Sequence, residues 1–553
     1  MARCRNAGNT GGPRIPHRCR ARLRGSGHDC GVPGNTSVPV RLSELVATLS
    51  LVSDLGMGRP MERVLRQTVI ALRLAAASGS DADVRAATYY TSLLTWIGCA
   101  ADTSDLVQLF GDEQALYADV HVADLGGTSM AVFVLRHLGG DGPRLHRLGL
   151  IGRFLATAGR SVQQVMESHC QATSHLAERL DLGAEVSRPL LQAFERWDGK
   201  GVPGKAGATD LAPAIRLVHL ADNVELYHHT GGVEPALAIA RERRGTQFDP
   251  ALVDCFLDRH ADVLDGLETI RAWDEVIALD PRLGAPLTDA QLDRVLEAFA
   301  DFADLKSPDR IGHSRGVAAL AESAAQAAGL SDADAALLRR AGLVHDIGMI
   351  GVSSEVWMET KPWTLAQRER AQTHPYLTER MLARVPALAD VARIAAMHHE
   401  RLDGSGYPHG LTRDAIPIPA RILAAADVYQ ALRQDRPHRP AMSADAARTE
   451  LCAEATADRL DQAAVDAVLT AVGERVQRPR AALPGGLTAR EVEVLVQLAH
   501  GLSNPEIAAA LTLSRKTVSS HLEHIFTKLG VTTRTQAALF AMREGLIGEP
   551  AGV

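Results

Sequence analysis

Apolar residues recur at helical spacing from Leu42 almost to the end of the chain. Leu337–Val344 reads as an apolar helix running into a turn at Gly348, and Leu388–His399 carries apolar positions at helical spacing. Two stretches break the pattern. Residues 275–290 (EVIALDPRLGAPLTDA) hold Pro281, Gly284 and Pro286, and residues 478–486 (RPRAALPGG) read as a linker. Shorter periodic segments follow: a helix from Ala489 to His500 stopped by Gly501, a second from Asn504, a third capped by Ser514 and running to Lys528, and a last from Gln536 to Gly545. The fold class expected is all-α, with tandem helical domains followed by a small helix-turn-helix bundle.

Composition narrows this picture. The 553 residues allow three domains at roughly 100–200 residues each. Aromatics are only 4%, which favours helix over sheet. The net charge of −7 excludes a surface coated by nucleic acid, so any DNA contact is local. No run of about 18 uncharged apolar residues occurs, so no membrane span is expected, and the protein reads as cytoplasmic. Cys99, Cys170, Cys255 and Cys452 are scattered, and no CxxC pair exists, which suits reduced thiols without a zinc knuckle. Residues 1–40 differ from the rest. They hold Cys4, Cys19, Cys30, a run of arginines from Arg3 to Arg24 and the single acid Asp29, with no apolar core of a secretory signal. Disorder is the expectation there, a basic nucleic-acid arm the alternative.

The chain repeats itself. Glu195–Pro203 (ERWDGKGVP) parallels Glu400–Pro408 (ERLDGSGYP), 205 residues on, and the same offset places His169 on His374 and Asp222 on Asp427. Further upstream the offset is 250, pairing Ile97-Gly98 with Ile347-Gly348, so the first copy carries an insertion near 101–165. Two copies of one helical domain are expected, over 41–275 and 285–478, then a terminal module over 484–549.

The second copy gathers His345-Asp346, His374, His398-His399 and Asp427, with Asp309 and His313 upstream, spaced as one helical turn. A lone histidine is an ordinary residue; the ordered set is not. On a helix, His398 and His399 would point about 100° apart, serving either two adjacent metals or one metal and solvent. Imidazole with carboxylate suits borderline divalent ions, and two such ions can ionise a water and clamp a phosphoryl oxygen. The first copy has Thr95-Trp96 for His345-Asp346, Ala193-Phe194 for His398-His399 and Arg63 for His313. It keeps only His169 and Asp222, too few for a dinuclear centre, and is expected to be structural or regulatory.

His345-Asp346-Ile347-Gly348, His374-Pro375, the run HHERLDGSGYP from His398 to Pro408, and Asp427 together resemble an HD-GYP domain of the HD phosphohydrolase superfamily, over about residues 300–475. The resemblance implies an all-helical domain that binds two metals, or three in trinuclear members, most often iron or manganese, and hydrolyses cyclic di-GMP. Residue by residue, it makes His313, His345, Asp346, His374, His398, His399 and Asp427 metal ligands. Asp309 would be the extra ligand of a trinuclear centre. The pair His345 and Asp346 would lie at the catalytic centre, with Asp346 bridging. Tyr407, Arg436 and Arg439 would face substrate. One position departs from the family: Met349 stands where HDIGK has lysine, removing a cation from the transition state.

In the terminal module, acids balance the basic residues, so charge alone does not single out DNA. LTAREVEVL, GLSNPEIA and SRKTVSSH resemble the LuxR-type helix-turn-helix closely. That resemblance puts Lys516, Thr517, Ser520 and His521 near phosphates or the major groove, Val518 and Leu522 inward, and makes the final helix a dimerisation element, hence a homodimer on DNA. The function expected is a DNA-binding regulator carrying a metal-dependent cyclic di-GMP phosphodiesterase. The alternative is a weak or inactive HD-GYP sensor controlling the same DNA-binding head.

Overall fold

The computed structural model describes residues 39–547 apart from 101–105, 108–109, 112, 121–126, 140–143, 157–159, 283 and 474–483. Most of the leader 1–40, with Cys4, Cys19 and Cys30, therefore lies outside the described residues, as do parts of the insertion near 101–165 and of the linker 478–486. Among the described residues the architecture is all-α, and β-pairing is confined to isolated bridges. Helices begin where a short polar side chain can take the first free backbone N–H groups. Asp81, Thr288, Ser331 and Ser443 each accept such a bond.

In the second half, His313–Ala327 packs on Asp332–Val344, Ile418–Leu432 and Gln462–Gly473. Alanines let these helices approach closely: Ala318, Ala321, Ala324, Ala325 and Ala341 are all buried, and Gly342 abuts Ala318. In the first half, Arg63–Ala77, Ala82–Leu94 and Pro213–Gly231 pack together. The insertion supplies helices Glu113–Val120, Gly127–His137 and Arg144–Ala156, followed by Arg160–Arg179.

One apolar core runs through both halves. Residues 275–290 are stitched to the start of the ordered chain: the Leu287 N–H donates to the Val40 carbonyl at 2.8 Å, and Ser43 donates to Asp280 at 2.8 Å. Helix Leu42–Gly56 packs on the short turn Ile347–Gly351 that follows His345-Asp346.

The terminal bundle comprises Ala489–Ala499, Asn504–Ala510, Arg515–Leu529 and Arg534–Arg543. Capping boxes at Thr488/Glu491, Ser503/Glu506 and Thr533/Gln536 start three of them. The last box explains why the final helix begins at Arg534, two residues before the sequence expectation. Lys528 donates to Glu491 at 2.5 Å and ties the third helix to the first. Gly501 rests on Pro308, and Ile547 on Gly312. The final helix lies against Arg160–Arg179, where His175, Leu191, Leu539, Phe540 and Arg543 line a shared cavity.

Candidate metal centre

His345 caps the helix Asp332–Val344, and Asp346 follows it. Gly348 is required next, because a Cβ there would run into the His374 carbonyl and Thr378. Thr378 locks the turn, donating to the His345 carbonyl at 2.9 Å and accepting from the Gly348 N–H at 3.0 Å. His374 opens the helix His374–Leu382. His398 and His399 are not helical, in contrast to the sequence expectation. The helix Ala389–Ala395 ends before them, and the His398 ring bonds back to the Ala395 carbonyl at its C-terminus. In that turn the two rings lie with centroids 4.1 Å apart.

Four imidazoles are fixed the same way. Nδ1 of His345, His374 and His398 lies 2.8, 2.6 and 2.7 Å from the carbonyls of Gly342, Ala371 and Ala395, and Nδ1 of His313 lies 2.8 Å from Gln434 Oε1. A carbonyl oxygen only accepts, so Nδ1 carries a proton and, in the neutral ring, Nε2 holds the lone pair. These Nε2 atoms converge on acceptors. Those of His374 and His398 stand 3.1 Å apart, that of His313 is 3.1 Å from Asp427, and that of His345 is buried without a hydrogen-bond partner. Lone pairs aimed at one another in a buried site need a cation between them.

Asp346 divides the cluster. Its Oδ1 is 3.2 Å from His374 and 3.5 Å from His398; its Oδ2 is 3.4 Å from His345 and 3.8 Å from His313. Two trios whose ligand atoms lie within 4.8 Å of one another flank it, His374–His398–His399 and His313–His345–Asp427. Burial acts to raise the carboxyls of Asp346 and Asp427, but the surrounding imidazoles, with Arg310 beside Asp346, hold both well below the usual range. Burial pushes His313 down to about 4. His345 alone is pushed up, to about 10; burial opposes this, and Asp346 outweighs it. The two carboxylates thus draw positive charge to the bare nitrogens, and the donor set fits divalent ions.

The other expected residues divide. Tyr407 packs on His399 with ring centroids 4.7 Å apart, and burial pushes its hydroxyl pKa up. Arg436 reaches the site, 3.5 Å from both Asp309 and His313. Arg439 does not: its guanidinium donates to the carbonyls of Ala431 at 2.7 Å and Leu432 at 3.3 Å, holding its own loop in shape. Asp309 joins neither trio. It sits in the short turn Pro308–Arg310, whereas His313 starts the next helix after Gly312 at φ 79°, so the expected single helical turn between them does not form. Its carboxylate pairs with Ser307 and Arg436 instead.

Sequence reasoning missed three residues. Gln434 fixes the His313 tautomer. Glu400 accepts from the N–H groups of His409 and Leu411, each at 2.8 Å, and shapes the loop around Tyr407. Arg310 ion-pairs with Asp346. Glu400 carried a signal, its repeat at Glu195, which accepts from Gly204 and Lys205; the other two had none.

Contacts recur in the first half at the two sequence offsets. Asp54 accepts from the Val64 N–H as Asp304 does from Ser314. Gly98 abuts the His169 carbonyl as Gly348 abuts that of His374. Where His313 meets Asp427, the buried Arg63 guanidinium pairs with Asp222, and Glu225 lies 3.4 Å from it. A fixed cation stands there, and burial keeps His169 neutral, down to about 4, with its Nε2 on the Thr95 carbonyl.

Comparison with known proteins finds two matching domains. Residues 297–464 match the HD domain, and residues 486–541 match the luxR family of bacterial regulatory proteins. The chain carries an HD domain followed by a LuxR-type helix-turn-helix, and its relatives are phosphodiesterases. The chain is similar to the 3'3'-cGAMP-specific phosphodiesterase 3 of Vibrio cholerae, 29% identical over 410 residues that cover 73% of this chain and 89% of that protein. It is also similar to the cyclic di-GMP phosphodiesterase response regulator RpfG of Xanthomonas campestris, 34% identical over 184 residues covering 33% of this chain and 47% of the relative. The crystal structure of the cyclic GMP-AMP phosphodiesterase V-cGAP3 of V. cholerae aligns with TM-score 0.54 and 26% identity, covering 82% of this chain and 100% of that one. No helix among the described residues is long and apolar enough to cross a membrane.

Proposed function

We propose that this protein is a cytoplasmic DNA-binding regulator whose HD-GYP half hydrolyses a 3′,5′-linked cyclic dinucleotide. The observation that carries the reading is Asp346, with each carboxylate oxygen turned to a different trio of ligand-type side chains. His313, His345, Asp427 and one oxygen of Asp346 would hold one divalent ion, and His374, His398, His399 and the other oxygen a second; iron or manganese suits this donor set. Bound there, the ions would ionise a water and neutralise charge on the phosphate. The chain's own residues do the rest. Arg436 offers its fork to a phosphate oxygen, Tyr407 walls the site beside His399, and the buried imidazoles hold their lone pairs in register. Water adds to phosphorus, the P–O3′ bond breaks, and the 3′ oxygen leaves with a proton, giving the linear dinucleotide. Relatives named for 3'3'-cGAMP and for cyclic di-GMP support this substrate class.

The first half, with Arg63 in place of a ligand, is read as a degenerate copy that no longer needs metal. In the terminal module Lys516, Thr517, Ser520 and His521 would meet DNA. Lys516 and Ser520 are exposed on the third helix, and Val518 and Leu522 are buried beneath them. A homodimer on DNA through the final helix requires Leu539, Phe540 and Arg543 to leave the cavity they share with Arg160–Arg179.

The sensor reading has one observation in its favour: Met349 is fully buried in an apolar cluster, so no cation reaches the site from there. Metal-loaded protein incubated with cyclic di-GMP and with 3'3'-cGAMP, followed by product chromatography, decides between the two. Linear dinucleotide from the wild type, absent from a His345→Ala variant that still shifts DNA, is the expected result. Tight binding without product leaves the sensor; neither binding nor product ends both readings.

A further inference from the structure

Met349 contributes no charge: it is buried among Val352, Val356, Trp357 and Ala371. Trp357, which closes that cluster, is 5.6 Å from the His374 ring, and the Arg310 guanidinium lies over Trp357 at 5.5 Å. Arg310 therefore stands where the apolar cluster meets the imidazoles, brought by the turn Pro308–Arg310 rather than by the HDIG segment. It ion-pairs with Asp346 Oδ2.

That pair does not exhaust the guanidinium. The same oxygen faces the Nε2 atoms of His345 and His313, so a cation held by those residues would compete for it and free the Nη1 donor of Arg310 for another acceptor. The Arg310 side chain is 18% exposed against 3% for Asp346, so its outer edge faces the solvent from which a ligand arrives. Arg436 stands close by; burial and the Arg310 charge together push it down to about 10. Asp346 beside Arg310 and Asp309 beside Arg436 offset part of the repulsion between the two guanidiniums, and an anion bridging them would offset more. Phosphate matches the planar fork of arginine with two parallel hydrogen bonds.

We propose that Arg310 binds a phosphate of the cyclic dinucleotide alongside Arg436, supplying from a different segment the cation that Met349 lacks. The proposal rests on the cyclic dinucleotide reading above. Its test uses the full chain loaded with manganese, as wild type, Arg310→Ala and Arg310→Lys. Three quantities are measured: manganese per chain, the Kd for non-hydrolysable phosphorothioate analogues of cyclic di-GMP and 3'3'-cGAMP, and the salt dependence of that Kd. Arg310→Ala should keep its manganese, weaken analogue binding roughly 10- to 100-fold and flatten the salt dependence. Arg310→Lys should fall between the two, keeping the charge and losing the fork. An unchanged Kd in Arg310→Ala, or a weakened Kd matched by loss of manganese, overturns the phosphate role while leaving the phosphodiesterase reading intact. Wild type that holds manganese yet binds neither analogue overturns the functional reading, and this one with it.

Discussion

At the scale of the residue, the candidate centre depends on side chains outside the proposed ligand set. The Nδ1 proton of His313 is held by Gln434, whereas His345, His374 and His398 use backbone carbonyls three residues back. A backbone acceptor cannot be mutated away, but Gln434 can. Gln434→Leu frees the His313 tautomer and ring, and should weaken metal binding by about 10-fold or more, read by competition with a chelator. The clustered histidines and carboxylates were legible in the sequence, because imidazole and carboxylate in that order are scarce. Gln434 and Arg310 were not legible: a glutamine in a polar loop and an arginine before a histidine carry no periodic or compositional mark. Asp309 shows the converse. Its spacing to His313 promised a shared face, but Gly312 in the left-handed region separates the two, and Arg436 takes the carboxylate.

At the scale of the element, boundaries follow local chemistry. The terminal helices begin at capping residues visible in the sequence, and their starts fall within two residues of those expected. The segment 388–399 was less legible. Its apolar spacing suggested one helix through His399, yet the helix ends at Ala395, where the His398 ring takes up a free carbonyl. Periodicity registers which residues are buried, and a tight turn buries its side chains as a helix does. The third terminal helix keeps Lys516 in solvent. Lys516→Ala should weaken DNA binding about equally across sequences and reduce the slope of log K against log salt by about 1, measured by gel shift at several salt concentrations.

At the scale of the whole molecule, the two halves share more than apolar surface. Lys306, just before the metal-site turn, is fully buried with its amine 3.5 Å from Glu113 of the insertion, and Glu113 also accepts from Ser353 at 2.8 Å and from the Ser354 N–H at 2.5 Å. Removing one partner leaves a buried charge alone. Glu113→Ala should therefore cost about 3–5 kcal/mol in denaturant unfolding, and Glu113→Leu with Lys306→Met much less, since no unpaired charge remains. The insertion appeared in the sequence only as a change of offset, with no sign that it braces the second half.

The amino-acid sequence alone determined the helical class, the HD domain with its clustered histidines and carboxylates, and the LuxR-type module, because each is written in local periodicity or in a short ordered motif. Tertiary structure decided that Nδ1 of His313, His345, His374 and His398 is held by an acceptor, that Asp346 faces two trios, that Arg439 holds its own backbone and that Arg310 enters the site. Those are matters of distance between segments far apart in the chain, and such distances exist only once the helices have packed.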